Sequence, residues 1–323
     1  MNRRIIANFL LVLAAFIWGT AFVAQSLGMG FIGPFTFNGV RSLIGGLTLL
    51  PVVALTRRTR PPQSARARRN TWVGGVWCGA VLFAASAFQQ FGILHTTVGK
   101  AGFVTALYIV LVPLSGLFLK RRTAPLLWAA VALAAAGLYL LCFAGSGERF
   151  SVQPGDLLVL CCAFLFTAHI LVVGHFSSRA DCVAMSCVQF FIAGGLGLCA
   201  MFRFEKPAAA AILDCRGPLL YAGVLSSGVA YTLQIIGQKN TNPAEASLLL
   251  SLEAVFGALG GALMLGERFT GLEFAGAGLM FVGIVLSQWG DGGTPSITAR
   301  FPKKGIHGAA SPGVPSSFSG DRC

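Results

Sequence analysis

Charge is what this sequence has least of. Only 11% of its 323 residues are charged, and Asp and Glu together number 11. A soluble domain carries about 25% charged residues, so a single water-exposed globular body is excluded. Catalytic signatures are missing too. No Walker A run, no GxSxG and no HExxH occurs, so ATP hydrolysis and the common serine and zinc hydrolase chemistries have no motif here. Nor is there an Asp-rich metal motif. Nine cysteines are present, but without a CxxC pair or a Cys/His metal spacing. Cys78, Cys142, Cys161, Cys162, Cys182, Cys187 and Cys199 fall in or beside apolar runs, where cysteine acts as a small apolar residue. Cys215 is placed in an outer loop and has no obvious partner. No cofactor, no metal and no enzyme activity are expected.

What is present is apolar sequence. The chain is 55% hydrophobic with a mean hydropathy of +0.75, and apolar runs recur from residue 5 to residue 289. Ten spans are predicted: 5–25, 34–55, 72–94, 99–119, 126–143, 157–175, 182–203, 217–237, 244–265 and 271–289. Each approaches the ~20 residues needed to cross a ~30 Å hydrocarbon layer. Backbone groups find no water there, so each span is expected to be helical. The first is not expected to be a cleaved signal, because its apolar run is too long and no strong small-residue cleavage site closes it. Small residues at four-residue spacing, such as Gly75/Gly79, Gly257/Gly261 and Gly195/Cys199, suit close helix packing.

The formal net charge is +13, which alone would admit a nucleic-acid partner. Its distribution argues against one. Loop 56–71 holds Arg57, Arg58, Arg60, Arg66, Arg68 and Arg69, and Lys120-Arg121-Arg122 follows the fourth span. With the N-terminus inside, most Lys and Arg fall on the inner side, as the positive-inside rule requires. Both termini are therefore expected in the cytoplasm, with anionic membrane lipids as a secondary contact of the basic loop.

Two stretches of the chain resemble one another. Residues 89–116 and 234–261 align at a constant shift of 145, and eight pairs are identical: Gln89/Gln234, Gly92/Gly237, Thr96/Thr241, Ala101/Ala246, Leu107/Leu252, Val110/Val255, Leu114/Leu259 and Gly116/Gly261. Five spans precede residue 143 and five follow residue 157. An odd number of spans per unit makes the second copy enter from the other side, so the repeats are inverted. The expected organisation is a first five-helix repeat over 1–143, a second over 144–289 opened by the Gly/Ser/Pro linker 144–156, and a disordered cytoplasmic tail over 290–323.

Polar residues inside spans mark pathways by default. Tyr108 and Glu253 lie near the midpoints of spans four and nine and correspond under the 145-residue shift. Both are candidates to line a central pathway. His169 and Trp18 lie just past the middles of spans six and one. Gln89 and Gln234 are repeat equivalents with donors and acceptors for substrate or for a neighbouring helix. Lys100 and Glu245 are also equivalents, each in the first turn of its span, placed either to gate or to snorkel to the interface. Arg41 lies seven residues into span two and needs an acceptor that sequence does not name. The simpler alternatives are helix-to-helix hydrogen bonding for Glu253 and His169, and core packing for Tyr108 and, most strongly, Trp18.

At this point the residues resemble the EamA family of the drug/metabolite transporter superfamily. The motifs are Leu252-Glu253-Ala254-Val255-Phe256, Leu265-Gly266-Glu267, Trp18-Gly19 followed by Phe22, Thr97-Val98-Gly99-Lys100-Ala101-Gly102-Phe103, and Leu107-Tyr108 with Val112-Pro113. Ala254 stands where the family has proline, and Lys120-Arg121-Arg122 replaces a Gly-Glu. The resemblance implies an all-α membrane protein of ten transmembrane helices in two inverted five-helix repeats, located in a bacterial inner membrane. It implies a secondary transporter of a small metabolite, amino acids among the options and often outward, with protons as a candidate coupling ion. A polytopic membrane enzyme or a non-transporting scaffold is the alternative.

Overall fold

The computed structural model describes residues 3–59, 63–96, 98–118, 124–143, 153–265 and 270–289. Glu148, most of the expected linker and the tail 290–323 lie outside the described residues. Every regular element among them is helical. The first half comprises α1 (Arg3–Gly28), α2 (Pro34–Thr59), α3 (Ala65–Ile93), α4 (Val98–Ala106), α5 (Tyr108–Phe118) and α6 (Pro125–Phe143). The second comprises α7 (Pro154–Phe176), α8 (Cys182–Phe204), the short α9 (Ala209–Asp214) and α10 (Arg216–Leu220), a π-helical stretch Tyr221–Ala230, α11 (Tyr231–Gln238), α12 (Pro243–Leu250), α13 (Leu252–Leu265) and α14 (Gly271–Trp289). Nine stretches of the described chain are long and apolar enough to cross a membrane, and Pro125–Leu141 is a shorter apolar helix. Large apolar side chains such as Phe9, Trp77, Phe118, Phe164 and Phe274 point outward, as a lipid-facing belt requires. The protein is an all-α membrane protein of ten transmembrane helices in two inverted repeats.

Several predicted continuous spans prove to be broken. Span four is α4 and α5, interrupted at Leu107, and span nine is α12 and α13, interrupted at Ser251. The two breaks fall one residue apart under the repeat shift. No proline is needed at the second. Ser247 Oγ donates to Ala244 O at 2.8 Å, and Ser251 Oγ donates to Leu248 O at 2.7 Å. Such back-bonding competes with the helical ladder and bends it. Cys215, expected in an outer loop, lies at the junction of α9 and α10 and is fully buried against Ile32, Phe37 and Leu219.

Glycine contacts show how the repeats correspond. A Cβ on Gly92 would lie 3.1 Å from Gly155 O and 2.4 Å from Val159 Cγ2, and one on Gly237 would lie 3.0 Å from Ala7 O and 2.8 Å from Leu11 Cγ. The same contact is thus made twice, pairing Ala7 with Gly155 and Leu11 with Val159. Likewise Gly46 packs on Phe191 and Gly194 on Leu43, which pairs α2 with α8 at a shift of 148. Gly79 packs on Gln189 O and Ile192, and its counterpart Gly223 packs on Arg41 O and Ile44. Gln89 follows Gly79 by ten positions, whereas Gln234 follows Gly223 by eleven. The π-helical stretch absorbs the one extra residue, as π-bulges do.

The outermost pair, α6 and α14, packs backbone to backbone. A Cβ on either Gly137 or Gly276 would lie 2.6 Å from the other's carbonyl oxygen. Neither helix contributes to the central cavity. They frame the helices that do.

Candidate functional site

A cavity of about 40 Å³ lies at the centre of the bundle. That is room for about three or four waters, at about 10–15 Å³ each. Tyr108, Glu253, His169, Trp18, Gln89 and Gln234, each a candidate from sequence, all line this cavity. Lys100 lies on α4, but its side chain lies outside the described residues.

Tyr108 and Glu253 meet directly: the phenol donates to Glu253 Oε1 at 2.8 Å, and both side chains are buried. Residues that correspond under a two-fold and touch one another must flank the axis. The pair therefore marks the axis, beside the breaks at Leu107 and Ser251. A broken helix exposes backbone groups beside a cavity, where a ligand or water satisfies them.

His169 Nε2 donates to Gln189 Oε1 at 2.9 Å. Its Nδ1 is buried without a partner among the described residues, as is Gln234 Oε1. Gln89 Nε2 donates to Thr105 Oγ1 at 3.2 Å, and Trp18 Nε1 donates to Ser226 O, within the π-helical stretch, at 3.4 Å. Buried polar atoms are nearly always bonded, so unsatisfied ones facing a cavity are what a polar ligand would complete.

Sequence reasoning missed the residue at the middle of the cavity. The Tyr231 ring packs against Trp18 (centroids 4.5 Å apart), Phe190 (5.5 Å) and edge-on against His169 (5.8 Å). One signal was available: Tyr231 precedes Gln234 by three residues and so shares its helix face. Gln25, Thr105 and Ser226 also line the cavity, and their types alone mark them no more than any membrane Ser, Thr or Gln. Arg41 lines it too, and its acceptor is Gln25 Oε1 at 3.2 Å.

Away from the cavity, two matched contacts tie the halves at opposite faces. At the face where α1 begins, Thr241 Oγ1 donates to Asn8 Oδ1 at 3.5 Å. At the other, Thr96 Oγ1 donates to Asp156 Oδ1. Thr96 and Thr241 are repeat equivalents, and so are Asn8 and Asp156 by the glycine correspondence. Glu245 corrects an expectation. It does not snorkel into water but is 3% exposed, paired with Arg4 Nη2 at 3.2 Å and bonded by Asn242 Nδ2 at 2.6 Å. The N-cap Asn242 and Pro243 start α12 there and aim the carboxylate back at α1.

A bundle of broken helices around a polar central cavity is the arrangement of transporter folds built from internal repeats. The chain belongs to the EamA-like transporter family, whose model matches it twice, over residues 5–143 and 153–289. An uncharacterized transporter of Archaeoglobus fulgidus is 29% identical over 295 residues, covering 88% of this chain and 86% of its own length. The uncharacterized transporter YwfM of Bacillus subtilis is 29% identical, with 88% and 94% covered. The uncharacterized inner membrane transporter YedA of Escherichia coli is 23% identical, with 85% and 88% covered. A solved crystal structure superposes with a TM-score of 0.71 at 20% identity, covering 88% of this chain and 96% of that one. That likeness bears on the fold alone.

Proposed function

We propose that the protein is a secondary transporter that carries a small metabolite, an amino acid or related compound, across a bacterial inner membrane by alternating access. The observation that carries this reading is the Tyr108–Glu253 bond on the two-fold, in the wall of the central cavity. Glu253 is the exchangeable group: its carboxylate holds either a proton or a cationic part of the substrate, never both. Proteoliposomes offered a panel of radiolabelled metabolites test the reading. Flux of at least one compound above protein-free vesicles is expected, and no flux across the panel would sink it.

The matched threonine contacts give the motion two stops. Opening toward one face releases Thr96 from Asp156, and opening toward the other releases Thr241 from Asn8. Thr96→Ala removes one stop and leaves the Asp156 cap on Gln153 N (2.9 Å) intact. A reporter cysteine at Thr105, which lines the cavity, should then react faster with an impermeant maleimide from the face opposite the N-terminus. Thr241→Ala should shift reactivity to the N-terminal face. Equal rates in both variants and the parent would show that these contacts gate nothing.

The basic residues of loop 56–71 support an orientation with both termini and that loop on the cytoplasmic side. Burial pushes the Cys215 thiol above its usual range, which makes it a poor maleimide target. Cysteines placed at the exposed Arg66 and Asp214, with the native cysteines removed, serve instead. Position 66 should label only from the cytoplasm and position 214 only from outside. The reverse pattern would invert the orientation.

A further inference from the structure

Among the described residues Arg41 is the one buried Lys or Arg side chain, at 5% exposure. It projects from α2 into the central cavity. A guanidinium carries five N–H donors and a charge that does not titrate away. The partners it has here are neutral: Gln25 Oε1 at 3.2 Å, and the face of Phe37 at 5.6 Å from the guanidinium carbon. The one ion pair among the described residues is Arg4–Glu245, at the end of the bundle. A buried charge without a counter-charge is strongly unfavourable, and a membrane interior gives no relief.

The second repeat shows that the fold does not need this charge. At the shift of 148 that relates α2 to α8, Arg41 corresponds to Gln189, which makes a neutral bond to His169. A glutamine satisfies the same position in the same packing. The arginine is thus an addition on one side of the two-fold. It shares its cavity with Glu253, the acid on the axis, and with the aromatic faces of Trp18 and Tyr231.

We infer that Arg41 receives the carboxylate of the substrate, and that the substrate is a small zwitterion whose ammonium group is taken by Glu253. The inference rests on the transport reading and adds which two side chains hold the charged ends of the cargo. A planar guanidinium matches a carboxylate with two parallel N–H···O bonds. An ammonium group suits a carboxylate flanked by aromatic faces. Binding supplies each buried group with the opposite charge, so the loaded cavity is neutral overall.

The test uses the purified full-length protein in detergent, with thermal unfolding followed by tryptophan fluorescence. The probes are the twenty standard L-amino acids, and for each its methyl ester, its decarboxylated amine and its deaminated acid. At least one amino acid should raise the unfolding midpoint, and its methyl ester and amine should not. Arg41→Gln should leave the ligand-free midpoint unchanged or higher, since a buried charge is removed, and should abolish the response. Arg41→Lys keeps the charge without the planar fork and should raise the Kd about tenfold or more. The inference is overturned if no amino acid in the panel stabilises the wild type, or if the response persists in Arg41→Gln or extends equally to the ester. Should Arg41→Gln fail to fold, an unchanged Kd in Arg41→Lys overturns it. Flux separates the two readings. Arg41-dependent binding without flux in proteoliposomes refutes transport and keeps the recognition, whereas flux of a ligand indifferent to Arg41 refutes the recognition alone.

Discussion

Glu253→Gln should abolish the pH dependence of transport while leaving folding and membrane insertion unchanged. Glutamine matches glutamate in size, and its amide oxygen still accepts the Tyr108 hydroxyl now donated to Glu253 Oε1 at 2.8 Å. What it loses is the ability to exchange a proton for a cationic substrate group. Removing one partner of a buried, hydrogen-bonded charge pair costs about 2–5 kcal/mol, so flux should fall by about two orders of magnitude. The residual flux should be flat with pH. The charged and titratable groups around Glu253 are Tyr108, Tyr231, Arg41 and His169 on the cavity wall, with Cys162 beside it on α7. Tyr108→Phe is therefore the companion variant, since it removes the hydroxyl bond and keeps the carboxylate. It should slow flux and retain a pH profile. If Glu253→Gln carries substrate at the wild-type rate with the wild-type profile, the carboxylate is structural and the exchange mechanism is wrong.

A single methyl group at Gly19 should be nearly as damaging, by another route. A Cβ there would lie 2.6 Å from both Gly257 N and Phe256 Cβ and 2.7 Å from Glu253 O. Two of those three atoms are backbone, which cannot swing aside. Gly19→Ala must push α1 away from α13, and overpacking of this kind costs about 1–3 kcal/mol. Because α13 carries Glu253, the displacement also moves the carboxylate relative to Tyr108. The expected outcome is a lower thermal midpoint together with reduced transport. Gly195→Ala is the control, since no atom lies within 4 Å of the Cβ it adds, and it should change neither. Equal midpoints for the two variants would show that α1 and α13 have slack the structure does not contain.

The class of this protein is legible in its composition and in the length of its apolar runs, because those are what the bilayer acts on. Ten apolar runs, few charges and basic loops follow from what hydrocarbon excludes. Duplication was legible for the same reason: Gln89/Gln234 and Gly92/Gly237 survive as identities at one shift. So was the equivalence of Tyr108 and Glu253, but not that they touch. Contact between residues 145 apart depends on where the two-fold passes, and that is decided by glycine-to-backbone approaches such as Gly19 on Gly257 and Gly137 on Gly276.

Hydropathy says how deep a residue sits but not which way its helix is turned, so it could not aim Arg41 or Tyr231 at the cavity. It could not show that one extra residue makes a π-helical stretch above Tyr231, because no composition signal accompanies an insertion inside an apolar run. Nor could it find the neutral partner of Arg41, or the burial of Glu245 against Arg4 rather than in water. Each of these depends on helix rotation, which packing sets through contacts far apart in the chain. Those contacts exist only once the two halves have closed on one another.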